Sequence, residues 1–135
     1  MSVIYPVITL AFLTFALYIY IVTSRVSSVQ NGIVQIEYYQ LFKGGEPPEA
    51  VLKSTRHLAN LYEAPVLFYL VCVLIMITNV QTPLLVGLAW SYVVLRVVHS
   101  VVHLTYNKVF HRLGIFMFSQ IVLIIMWVLL LLQIT

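Results

Sequence analysis

The sequence predicts an all-α integral membrane protein, a bundle of four transmembrane helices, and three observations carry that reading. Of its 135 residues, 62% are hydrophobic and only 8% are charged, with a mean hydropathy of +1.04. A soluble domain carries about a quarter charged residues, so this chain cannot cover itself in water with polar groups. Four apolar stretches are each long enough to cross a hydrocarbon core, which takes about 20 helical residues. These runs are continuous and lack the period-2 alternation of a membrane barrel, which excludes that fold. At this length one domain is expected, covering residues 1–135.

The first span is expected over about residues 3–23. It has no basic leader and no small-residue cleavage site, so it reads as a retained helix and not as a signal peptide. The second is expected over about residues 48–79, behind the breaker Gly44-Gly45-Glu46-Pro47-Pro48. Pro65 inside it cannot bond to the Leu61 carbonyl and predicts a bend. The third covers about residues 83–106, with Thr82 as N-cap and Pro83 in the first turn. The fourth covers about residues 112–134. The long connection, residues 24–47, contains the apolar run from Ile33 to Phe42, which predicts a segment at the bilayer interface or packed under the helices. Cys72, the single cysteine, lies in an apolar run and reads as a small core residue.

Charge placement gives the orientation. Seven Lys/Arg stand against four Asp/Glu, and the resulting pI near 9.1 has a membrane explanation that calls for no nucleic acid. Arg25, Lys43, Lys53 and Arg56 belong to the first connection or its edge, and Lys108 and Arg112 to the third. The positive-inside rule puts both in the cytoplasm and both termini on the other side. The compact loops suit a bacterial inner membrane.

Ionisable residues inside a membrane are costly, so each is a functional candidate. Arg56, Asn60 and Glu63 fall at i, i+4 and i+7 on one face of the second span. Tyr92, Arg96, His99, His103 and Tyr106 form a stripe on the third. Counting about 1.5 Å per residue, Glu63 and Arg96 sit at matching depth, roughly 20–25 Å from the outer face. Two lone charges there would be expensive, so the depth argument predicts an interhelical Glu63–Arg96 pair. Arg56, Asn60, His103 and Tyr106 then form a polar layer nearer the cytoplasm, with Arg25, His111 and Arg112 close by. A structural clamp accounts for the same layer without any chemistry. The His99/His103 spacing also suits a metal or a haem, but a closed metal site needs further ligands, available only from Glu63, His57 or His111. No metal site is assigned.

With these residues in place, the chain resembles the MAPEG family, the membrane-associated proteins of eicosanoid and glutathione metabolism. The second span, from Arg56 through Asn60 and Glu63 to Pro65 and Phe68, is similar to that family's Arg-x3-Asn-x2-Glu signature followed by proline and aromatics. Arg96-Val97-Val98-His99 looks like the Arg-x2-His of its prostaglandin E synthase branch, and Arg112 falls where that branch has its arginine at the start of the fourth helix. The resemblance implies a homotrimer with glutathione bound between subunits near the cytoplasmic face. Arg56, Asn60, Glu63, Arg96, His99 and His103 would line or brace the glutathione site, and Arg112 would face the thiol as the catalytic residue. It further implies a glutathione-dependent transferase or peroxidase acting on a small hydrophobic electrophile dissolved in membrane lipid. Two positions depart from the pattern: His103 stands where catalytic relatives have tyrosine, and Leu113 where the prostaglandin synthase branch has serine. They motivate the alternative, a non-catalytic trimeric membrane binding or scaffold protein.

Overall fold

A computed structural model describes residues 2–43 and 45–135; Gly44, part of the breaker before the second span, lies outside the described residues. The chain forms six helices in the order α1 (Ile4–Gln30), α2 (Ile36–Leu41), α3 (Glu49–Glu63), α4 (Val66–Ile77), α5 (Pro83–Leu104) and α6 (Val109–Ile134), with no strand among the described residues. Four units are long and apolar enough to cross a membrane: α1, α3 with α4, α5, and α6. The fold is the all-α bundle expected from the sequence. α5 is its most enclosed member, packed on α6, α1 and α3.

Helix α1 continues to Gln30, seven residues beyond the apolar run. The polar residues there bond within the helix and so do not end it. Thr23 and Ser24 donate to the carbonyls of Ile19 and Tyr20, and Ser28 donates to that of Arg25. The stop comes at Gly32, whose φ of 68° lets the Ile33 N–H reach back to the Ser28 carbonyl, a glycine-terminated helix end. The connection then folds back on the bundle. Val34 and Tyr38 are buried, while Ile33, Ile36, Leu41 and Phe42 face outward.

The second span divides at Ala64-Pro65 into α3 and α4, where proline removes a helical N–H. Thr82 caps α5 by accepting the Leu85 N–H at 3.3 Å, with Pro83 behind it. Replacing Thr82 with alanine is expected to cost about 1 kcal/mol, measurable as a shift in the unfolding midpoint of the detergent-solubilised protein. At the same end, the Gln81 side-chain oxygen accepts the Val3 N–H and ties the start of α1 to the α4–α5 turn. α6 begins at Val109, three residues earlier than the sequence suggested. Asn107 in a left-handed conformation (φ 49°) makes the turn from α5 short, a backbone region asparagine tolerates.

The apolar core lies toward the uncharged end, where Leu10, Phe68, Cys72, Ile75, Leu85 and Met126 are fully buried. Cys72 is a core residue, as its apolar run implied. Tyr92 marks the border of this core. Its ring stacks on Phe68 at 4.4 Å, and its hydroxyl reaches the Ala64 carbonyl at 3.5 Å. Beyond Tyr92 toward the charged end, the interior turns polar.

Candidate functional site

The polar interior begins with Arg96, which is completely buried. Its guanidinium Nη2 donates to Asn60 Oδ1 at 2.6 Å, and it lies 6.0 Å from the Phe116 ring centroid. Nε and Nη1 have no partner within the chain. The expected Glu63–Arg96 pair is not formed: Glu63 is exposed, and the one ion pair among the described residues joins Lys53 to Glu49 at 2.7 Å. Helix geometry explains the correction. Val51, Ser54, His57 and Leu61 form the buried stripe of α3, and at about 100° per residue Glu63 projects about 200° away from Leu61. Depth along the membrane normal does not fix azimuth about the helix axis. Asn60, at the border of the buried stripe, is the member of the Arg56/Asn60/Glu63 row that reaches α5.

One helical turn from Arg96 lies a chain of hydrogen bonds whose direction is fixed. Ser100 Oγ donates to the Arg96 carbonyl at 2.8 Å, as serines in helices often do. That uses its only proton, so Ser100 must accept from His57 Nε2, 2.8 Å away. His57, fully buried, therefore donates from Nε2, and its Nδ1 has no partner within the chain. The His57 ring lies 5.6 Å from that of His99 and 4.8 Å from that of His103. His99 and His103 are 6.0 Å apart. Three imidazoles thus cluster in the interior between α3 and α5, though no group of three His, Cys or Glu among the described residues has the geometry to hold a metal ion.

The third contributor is the α5–α6 turn. Asn107 Oδ1 accepts Arg112 Nη1 at 2.9 Å, fixing that guanidinium in the first turn of α6, where the helix dipole adds positive potential. Arg56, Asn60, His99, His103 and Arg112 then line one cleft of about 290 Å³, whose remaining wall is Val109, Leu113 and Phe116. No carboxylate lines it. A smaller cleft shares Arg56, His103 and Arg112 and contains Glu49, Lys53 and Asn107. An enclosure with two lining guanidiniums, a third buried behind them and an apolar wall is built for an anion with an apolar neighbour.

Five of the seven residues anticipated for the site therefore come together on the cleft: Arg56, Asn60, His99, His103 and Arg112. Arg96 braces it from behind through Asn60. Glu63 stands apart, as does Arg25, which donates to Thr55 and lies over the Tyr39 ring. His111 and Tyr106 bond to each other at 3.2 Å on the exposed rim. From sequence alone, His57 has no role beyond a spare metal ligand and Ser100 has none. Their signal was present in spacing: His57 falls on the Val51/Ser54/Leu61 stripe, and Ser100 falls four residues after Arg96.

Comparison with curated proteins and with solved structures returned no match. The model of the MAPEG family matches residues 3–132, nearly the whole length over which the four spans and the cleft are built, and the chain belongs to the MAPEG family.

Proposed function

We propose that the protein is a glutathione-dependent transferase or peroxidase acting on a small hydrophobic electrophile dissolved in the membrane. Family membership supports a membrane protein of the glutathione and eicosanoid metabolism type. The observation that carries the finer reading is the cleft itself: Arg56, Asn60, His99, His103 and Arg112 against Val109, Leu113 and Phe116. Glutathione has two carboxylates and a thiol. The two lining arginines suit the carboxylates. The apolar wall supplies the approach for a lipid-soluble partner. Arg112 is the residue assigned to the thiol, because a cation at a helix N-terminus favours the thiolate.

The working unit in this reading is a homotrimer with the charged end in the cytoplasm and both termini opposite. Glu63 supports it. This carboxylate is exposed on the single subunit within a membrane-spanning unit, and a charge facing hydrocarbon is costly unless it is covered. A neighbouring subunit covering that face removes the cost.

Titrating glutathione into the detergent-purified protein tests the reading, with melting temperature and ultraviolet thiolate absorbance as readouts. Stabilisation at millimolar glutathione together with a thiolate signal is expected. No stabilisation would overturn the proposal. One observation favours the non-catalytic alternative: Leu113 puts an apolar side chain on the cleft wall next to Arg112. Stabilisation without thiolate, and without conjugation of a generic electrophile, would select it.

A further inference from the structure

Forming a thiolate displaces a proton, and the cleft limits where that proton can go. Of the eight side chains that line it, Val109, Leu113 and Phe116 are apolar, Asn60 is not basic, and Arg56 and Arg112 are already protonated. Only the imidazoles of His99 and His103 can take a proton within the cleft. His103 is the better placed of the two. It belongs to both clefts, together with the two arginines that they share, and its ring lies closest to the third imidazole, at 4.8 Å from His57.

Resting on the glutathione reading above, we propose that His103 is the general base of the site, accepting the thiol proton of the bound substrate. The S–H bond breaks, an N–H bond forms on the imidazole, and the electron pair stays on sulfur beside Arg112. No oxidant or further reactant enters. The proton remains in the site and is delivered to the electrophile when sulfur adds to it, which restores the neutral imidazole.

The surroundings of His103 suit this exchange. The charged and titratable groups around it are Lys53, Arg56 and His57 on α3, Arg96 and His99 on α5, and Arg112 on α6; Glu49, on the smaller cleft, is paired with Lys53. A lone imidazolium among those cations would be poorly placed, whereas one formed together with a thiolate is accompanied by its counter-charge. His57 cannot compete as a donor, because its Nε2 proton is committed to Ser100. This assignment also gives a chemical reason for histidine at position 103.

The test is a proton count. Glutathione binding to the full-length wild-type protein is measured calorimetrically near neutral pH in two buffers of different ionisation enthalpy, alongside thiolate absorbance. Thiolate formation with no net proton release is the expected result. Release of one proton per thiolate would overturn the role of His103 while leaving the glutathione reading intact, and binding without thiolate would do the same to any base. Absence of binding would instead overturn the glutathione reading itself. In His103→Gln, one proton per thiolate should appear in the buffer. A variant that still forms thiolate without release would assign the acceptor elsewhere. Should that variant fail to fold, the wild-type count still decides.

Discussion

Replacing Asn60 with leucine should cost about 3 kcal/mol of folding stability, a large effect for a change of similar side-chain size. Asn60 Oδ1 is the side-chain acceptor for Arg96, at 2.6 Å, and Arg96 is fully buried with two further nitrogens already unpartnered. A hydrogen bond to a charged group contributes about 1.5–3 kcal/mol, and stripping a buried charge of its partner typically costs about 3–5 kcal/mol. The lower part of that combined range applies because Arg96 keeps a 3.5 Å approach to the Asn60 backbone carbonyl. The measurement is denaturant unfolding in mixed micelles, followed by the fluorescence of Trp90 and Trp127. Asn60→Asp keeps an acceptor at the same reach and should retain most of the stability. A loss below about 1 kcal/mol in Asn60→Leu would mean that Arg96 is satisfied from elsewhere.

The Asn60–Arg96 bond is a feature that the sequence alone does not reveal. The spans were legible because hydropathy is a property of whole segments and membrane thickness fixes their length. The row Arg56, Asn60, Glu63 was legible because helical periodicity is rigid. What periodicity could not supply was the rotation of α3 about its own axis. That rotation is set by the packing of Val51, Ser54, His57 and Leu61, and a polar Ser and His in that stripe do not announce a buried face. Glu63 therefore looked like the natural partner of Arg96 on charge and depth, and Asn60 took its place on geometry. The same concealment applies to the imidazole cluster. His99 and His103 are neighbours by spacing, but His57 joins them only once α3 and α5 pack. Arg112 was legible through its resemblance to the arginine at the start of the fourth helix in the prostaglandin E synthase branch, although that helix begins three residues earlier, at Val109.

Arg112→Gln should lower the bound thiolate at neutral pH by up to about 25-fold, the helix N-terminus retaining its own share, and carry the rate of conjugation down with it. A free thiol with pKa of about 8.5 is only about 3% ionised at pH 7. A nearby cation and a helix N-terminus that together contribute about 2.7 kcal/mol depress that pKa by about two units, making the bound thiol about three-quarters ionised. Glutamine keeps a hydrogen-bond donor but removes the charge, so the thiol returns toward its free value. The sign follows from the chemistry: the loss is largest near neutral pH and disappears as pH rises past about 9, where the thiol ionises unaided. Affinity should fall less than the rate, because Arg56 still faces the cleft and the substrate carboxylates keep a guanidinium. Thiolate absorbance and conjugation rate measured across pH check this, and a uniform loss at every pH would show that Arg112 acts by packing and not by charge. The variant separates cleanly from His103→Gln. Removing Arg112 lowers the amount of thiolate formed, whereas removing His103 changes the destination of the proton for each thiolate that does form. If both variants shift the same observable, cation and base are not distinct roles in this cleft.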